Sequence, residues 1–263
     1  MPNNSYLKYR FPIPLFHKYL AQLNEDGKNF GIQIAMENAI IKSGSRMEIS
    51  GLTPKVTCVL KYKKVVIVAN HPYSLDPIAL IGSLPERKDL YLIINARFLE
   101  LLPKLKKHFI PVFVNHQPTG SRMQKPIDKI IDFFYPYKKY QAEKARHWNK
   151  ENLIEAAKKV KRGGLVILFT ERNGNSWRLG IGNLIKEIGG VKDVFLVPAY
   201  ISGTSHLDFA RVIPGFGKFL PQVRVTFARP VKIRNHIYSD PGKIASDLEQ
   251  NYRSLFRKPD RAY

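Results

Sequence analysis

Cysteine is almost absent: the chain carries Cys58 alone, so no disulfide can form within it. That excludes a small disulfide-stapled fold and points to a reducing compartment. Cys58 itself is expected as a small buried strand residue without a chemical role. Long apolar runs are missing too, and none reaches the length of a membrane span. The opening stretch "MPNNSYLKYRFPIPLF" has neither the apolar core nor the small-residue cleavage site of a secretory signal, so none is expected. If this chain meets a membrane, it is expected to lie on it. The seven histidines are scattered and form no Cys/His cluster, so neither a metal nor a bound cofactor is expected. No Gly-x-Ser-x-Gly surrounds a serine; Ser74 in particular has no such context, which argues against a hydrolase with its own nucleophile. Acidic residues are scarce, 21 against 43 Lys plus Arg, for a formal charge of +22. Such an excess favours anionic partners and says nothing about fold.

What is present is an ordinary globular composition, 44% hydrophobic and 24% charged over 263 residues. That length buries a sizeable core. Apolar strands alternate with helical patterns through most of the sequence. "KKVVIVAN", "DLYLIIN", "IPVFVN", "LVILFTE" and "VFLVPAYIS" read as strands, the first buried on both faces. "RMEISG" reads as a short strand, and "VRVTFARPVKI" as one or two more. Helices are expected over residues 16–43 with an interruption near Asp26-Gly27, and over 76–84 behind an Asp76 cap. Phe98, Leu101, Leu102, Leu105 and Phe109 fall at helical spacing, as do Ile127, Ile130, Ile131 and Phe134. Further helices are expected from an Asn149 cap to Gly163, over 179–188, and over 239–256. The expected fold is α/β, with a mainly parallel central sheet and helices on both faces. Residues 1–45 form an N-terminal helical segment in this reading, and 46–263 the α/β domain.

In parallel sheets chemistry gathers at the carboxyl ends of strands. His71, Asn115, Glu171 and Ser202 all fall just past, or at, expected strand ends. His71 leaves the strand "KKVVIVAN", and Asp76 opens a helix five positions on. The intervening turn can fold the two side chains together. A carboxylate bonded to one imidazole nitrogen fixes the tautomer and leaves the other nitrogen able to take a proton. This is the base-and-orienter half of a catalytic triad, and the nucleophile it lacks could be an alcohol of the substrate.

The stretch "NHPYSLDP" resembles the first signature block of the glycerolipid acyltransferases, Asn-His-x4-Asp. "FIPVFVN", "LFTERNGNSWRLG" and "FLVPAYISG" resemble the second, third and fourth blocks in the right order. "NARFLELLP" resembles the stretch between the first two, with Arg97 at a usual lysine. The resemblance implies transfer of an acyl group from a thioester, acyl-CoA or acyl-ACP, to a hydroxyl of a lysophospholipid-like acceptor. It makes His71 the general base, Asp76 its orienter and Glu171 an acceptor contact. Arg178 and Gly180 match the basic-x-Gly step of the third block. Two departures are visible. Arg172-Asn173-Gly174 stands where the family has Gly-Thr-Arg, and Asn115-His116 stands where its second block ends in a phosphate-binding arginine. A phosphate site would then be rebuilt from Arg97, Arg122, Arg172 or Arg178, each able to pair with a phosphate in bidentate fashion. An acceptor other than a glycerol phosphate ester is the alternative. Backbone amides near the second block or near Arg172 are candidate oxyanion donors.

An amphiphilic acceptor implies attachment to a membrane, here as a peripheral protein on its cytoplasmic face. Residues 6–19, 98–109 and 126–148 mix apolar, aromatic and basic side chains as interfacial segments do, though each pattern also fits a core-packing helix with a basic outer face. The expected partners are an anionic lipid surface and acyl carrier protein. A basic protein rich in Tyr and Phe also fits a nucleic-acid binder or a non-catalytic peripheral membrane protein. No helix-turn-helix, RNP-like or zinc-finger pattern accompanies that composition, so nucleic acid is not an expected partner.

Overall fold

The computed structural model describes residues 14–71, 73, 75–113, 140–171, 177, 179–233 and 240–256. The helix expected over 127–134 lies outside them, as does most of the stretch 6–19. The described residues form an α/β fold with an eight-stranded, mostly parallel sheet and a helical N-terminal segment. The strands are β1 Met47–Ser50, β2 Lys64–Asn70, β3 Leu90–Asn95, β4 Phe109–Val112, β5 Leu165–Glu171, β6 Val194–Ser202, β7 Val223–Phe227 and β8 Val231–Lys232. Their order is β1-β7-β6-β2-β5-β3-β4, with β8 paired to β6. β2 runs parallel to both β5 and β6, and β3 runs parallel to β4 and β5. β7 and β8 run antiparallel to β6, and β1 runs parallel to β7. Five strands therefore end on one carboxyl edge.

β2 is the central strand, and residues 65–69 are wholly buried. Val65, Ile67 and Ala69 face one apolar layer, Val66 and Val68 the other. The continuous apolar run in the sequence has this cause: both faces of the sheet are covered. The first layer comes from α1 Pro14–Phe30, α2 Ile32–Ser43, α3 Pro54–Tyr62 and α4 Asp76–Gly82. The second comes from α5 Ala142–Lys161, α6 Gly180–Ile188 and α7 Pro241–Phe256. Each fully buried Val, Ile or Leu contributes about 1.5–3 kcal/mol.

Five expectations are corrected. The N-terminal helix does not break at Asp26-Gly27; it runs on to Phe30, and the break falls at Gly31, whose φ of 90° and ψ of 168° end helical geometry. Gly27 is needed for space, because a Cβ there would overlap the Leu105 side chain. Within that helix the Asp26 carboxylate accepts hydrogen bonds from Gln22, Asn38 and Lys42. Second, Cys58 is exposed and lies in a helix that the sequence reading missed. Thr53 caps α3, Pro54 opens it, and Val56, Val59 and Leu60 form its buried stripe, which leaves Cys58 outside.

Third, the stretch from Phe98 to Phe109 is not one helix. It is two 3-10 turns, Ala96–Glu100 and Pro103–His108, split before Pro103, and Phe109 already belongs to β4. Its apolar residues Leu99, Leu102, Leu105 and Phe109 pack into the core. Fourth, α5 begins at Ala142, so Asn149 is inside the helix and caps nothing. Its amide instead clasps the Phe113 backbone, accepting from the N–H at 2.7 Å and donating to the carbonyl at 2.9 Å. Fifth, Asp76 is the first residue of α4, and Leu75 takes the cap position without a side-chain bond.

Candidate active site

The edge of the sheet where His71 sits is built by a mismatch between strands. β2 and β6 pair in register through Ala69 and Ala199. Between β2 and β5 the register slips, so that Ala69 pairs with Phe169 but Asn70 pairs with Glu171. Thr170 is the extra residue of this bulge, and its hydroxyl donates to the Ala69 carbonyl at 3.4 Å. Beyond Ala69 the Asn70 side chain takes over from the backbone ladder. Its Nδ2 donates to the Ile201 carbonyl at 2.8 Å, and its Oδ1 accepts the Ile201 N–H at 2.7 Å. A primary amide carries both a donor and an acceptor, so it can mimic a peptide group here.

Tyr252, from α7, completes the joint. Its hydroxyl accepts the Asn70 N–H at 3.1 Å and donates to the Ala199 carbonyl at 2.7 Å. Tyr252→Phe leaves those two groups without this partner, and the expected cost is about 1–3 kcal/mol. Urea unfolding reads it as a lower midpoint at constant slope. A midpoint equal to that of the wild type would mean that the hydroxyl adds nothing to the joint.

From this anchored strand end the chain delivers His71. Its imidazole packs on the Phe169 ring, centroids 4.7 Å apart at 33°. Nδ1 lies 3.2 Å from Asp76 Oδ2, and the same oxygen accepts the Tyr73 N–H at 2.6 Å. The imidazole is 34% exposed while the Asp76 side chain is wholly buried. One ring nitrogen thus faces an inward carboxylate on a side chain still open to solvent. A carboxylate at Nδ1 fixes the proton there and leaves Nε2 as the basic nitrogen. Among the described residues Asp76 Oδ1 meets no hydrogen-bond partner.

A second buried carboxylate lies behind the first. Asp208 sits in the 3-10 segment His206–Val212 and bonds the Ser205 N–H at 2.8 Å and Arg211 Nε at 2.9 Å. Burial pushes its carboxyl above the usual range, Arg211 and Ser205 pull it down, and the charge of Asp76 adds to the rise.

The structure thus brings together two of the candidate residues, His71 and Asp76. Glu171 is the last residue of β5 and the register partner of Asn70, so its backbone stands beside the His71 strand. Arg97 belongs to the 3-10 turn that follows β3 on the same edge, and Ser202 is the last residue of β6. Asn115, Arg122, Arg172 and Arg178 lie outside the described residues. Sequence reasoning took Asn70 as the first residue of the Asn-His-x4-Asp block without a role of its own, and missed Phe169 and Tyr252 as parts of the site. Asn70 carried a usable signal, a polar residue closing an apolar strand. Tyr252 carried none, because it reaches the joint from 182 residues away.

Among the described residues no group of three or more His, Cys, Asp or Glu is placed to hold a metal ion. No described helix is long and apolar enough to cross a membrane.

No family model matches the chain, and no curated protein matches it. Among solved structures it is similar to the crystal structure of the 1-acyl-sn-glycerophosphate acyltransferase PlsC from Thermotoga maritima. The two are 16% identical with a TM-score of 0.47, over 97% of this chain and 96% of that one.

Proposed function

We propose that the protein transfers an acyl group from a thioester, acyl-CoA or acyl-ACP, to a hydroxyl of a lysophospholipid-like acceptor. The observation that carries this reading is the His71–Asp76 pair, with Nδ1 and Oδ2 3.2 Å apart on an exposed imidazole and a buried carboxylate. The order of the four sequence blocks supports the choice of acyl transfer over other general-base chemistry. His71 Nε2 takes the proton of the acceptor hydroxyl as its oxygen attacks the thioester carbonyl. The tetrahedral oxyanion then collapses, the C–S bond breaks, and the imidazolium returns its proton to the leaving thiolate. Asp76 holds the imidazole in the receptive tautomer and stabilises its cation.

Glu171 contacts the acceptor in this reading. One or more of Arg97, Arg122, Arg172 and Arg178 receives its phosphate, with Asn115 nearby on the second block. Residues 46–263 carry the chemistry, and residues 1–45 add a helical segment that contacts the membrane. The work is done at the cytoplasmic face of a membrane, with an anionic lipid surface as partner and, where the donor is acyl-ACP, acyl carrier protein as well.

The test is direct. Purified protein is given acyl-CoA or acyl-ACP with a panel of lysophospholipids, and ester products are read by mass spectrometry beside thiol release. The expected result is a diacyl product formed in step with thiol. Thiol release with free fatty acid alone, or no turnover by folded protein with any acceptor, rejects the reading.

A further inference from the structure

We propose that an exposed apolar corner, formed by residues 207–219 and the end of α2, is the surface on which the protein sits on an anionic bilayer. The choice of a bilayer as partner rests on the acyl-transfer reading. Residues 207–219 are not among the segments whose sequence suggested membrane contact.

After β6 the chain runs through two 3-10 turns, His206–Val212 and Phe216–Phe219. Large apolar side chains point outward from them: Leu207, Ile213, Phe216 and, at 71% exposure, Phe219. Single exposed apolar residues are ordinary, but a cluster of them marks a contact surface. Phe216 and Phe219 meet edge to face with centroids 5.8 Å apart, and Lys218 Nζ lies 5.0 Å from the Phe219 ring centre. Ile41, 64% exposed, adds to the same corner from the last turn of α2. The two parts are tied together, because the Gly215 N–H donates to the Lys42 carbonyl at 3.2 Å.

Beneath the corner, Arg211, 2% exposed, ties the segment down by bonding Asp208, the Ser45 hydroxyl at 2.6 Å and the Pro221 carbonyl at 2.8 Å.

Charge selects the partner. Between residues 203 and 222 the sequence holds one carboxylate, Asp208, which is 7% exposed and bonded to Arg211. Residues 207–219 therefore show a membrane aromatic rings and a lysine without an exposed acid, the composition of interfacial segments. The exposed acid on α2, Glu37, lies one turn back from Ile41. A second copy of the chain would bring another formal charge of +22, which opposes self-association. Location fits as well. The segment leaves the carboxyl end of β6, beside the end of β2 that delivers His71, and Asp208 is near enough to feel the charge of Asp76. Docking by this corner sets the His71 edge of the sheet against the lipid.

The test uses the full chain with sedimenting vesicles of phosphatidylcholine, with or without phosphatidylglycerol. The wild type is expected to bind the anionic vesicles and to release them at high salt. The double variant Phe216→Ser/Phe219→Ser is expected to lose about tenfold or more in partitioning, and Lys218→Glu to lose less. In a Phe219→Trp variant, the difference emission spectrum against wild type is expected to shift to the blue on anionic vesicles. This last measurement stands even if the double variant does not fold. Unchanged partitioning of a folded double variant, or no shift in the tryptophan variant, overturns the proposal. So does a fall in sedimenting mass of the double variant without lipid, which would make the corner a protein interface. His71→Ala is expected to bind vesicles like the wild type. A wild type that shows no transfer yet binds through this corner would reject the acyl-transfer reading alone, and a wild type that transfers acyl groups but whose binding ignores the corner would reject this one alone.

Discussion

Replacing His71 with alanine is expected to lower kcat/KM for acyl transfer by on the order of 10³-fold. The imidazole is the one described group at this edge that combines a buried carboxylate on one nitrogen with solvent access. Without it the acceptor hydroxyl must be deprotonated by water, and the leaving thiolate loses its proton donor. The fold is expected to survive. His71 lies beyond the last residue of β2, its ring rests on Phe169, and the strand end is held by Asn70 and Tyr252. Circular dichroism and the urea midpoint should therefore stay near wild type while thiol release stops. A folded variant that turns over at the wild-type rate would remove His71 from the chemistry.

Asp76→Asn should lower kcat/KM almost as strongly, by about 10³-fold. Asp76 Oδ2 both accepts the Tyr73 N–H at 2.6 Å and faces His71 Nδ1 at 3.2 Å. An asparagine oxygen in that place keeps both contacts without a charge and puts its amide nitrogen in the buried place of Oδ1. An amide nitrogen in the place of Oδ2 sets a donor against both the Tyr73 N–H and Nδ1, and drives the ring proton to Nε2, the nitrogen the hydroxyl needs. The imidazolium also loses its counter-charge. A purely structural carboxylate would lower stability and leave kcat/KM of the folded variant near wild type. Asp76→Ala should lower stability as well, by about 1–3 kcal/mol, because the Tyr73 N–H loses its acceptor. An unchanged plateau in Asp76→Asn would defeat the orienter role.

The parallel core was legible because burial on two faces leaves an unbroken apolar run, as residues 65–69 show. The closeness of His71 and Asp76 was legible because few residues separate a strand end from a helix start. Periodicity misled where apolar spacing was shared by different geometries. Phe98, Leu101, Leu102 and Leu105 keep a helical rhythm, yet Pro103 breaks the stretch into 3-10 turns. Asn149 looked like a cap because asparagine often is one, but the helix had already begun at Ala142 and its amide served Phe113. Gly27 looked like a stop, and its small size instead admits Leu105. Contacts set by tertiary approach, such as Tyr252 on Asn70, leave no trace in local pattern.

The slipped register beside Asn70 has a consequence for how His71 is held. On one flank His71 is moored, through Asn70, to β6 and to the closing helix; on the other, the β5 pairing has already been dislocated by Thr170. The imidazole still leans on β5 through Phe169, so this flank holds His71 by ring contact where the other holds it by hydrogen bonds. Under the acyl-transfer proposal, the departure Arg-Asn-Gly in the third block begins just beyond a pairing already offset from the dyad.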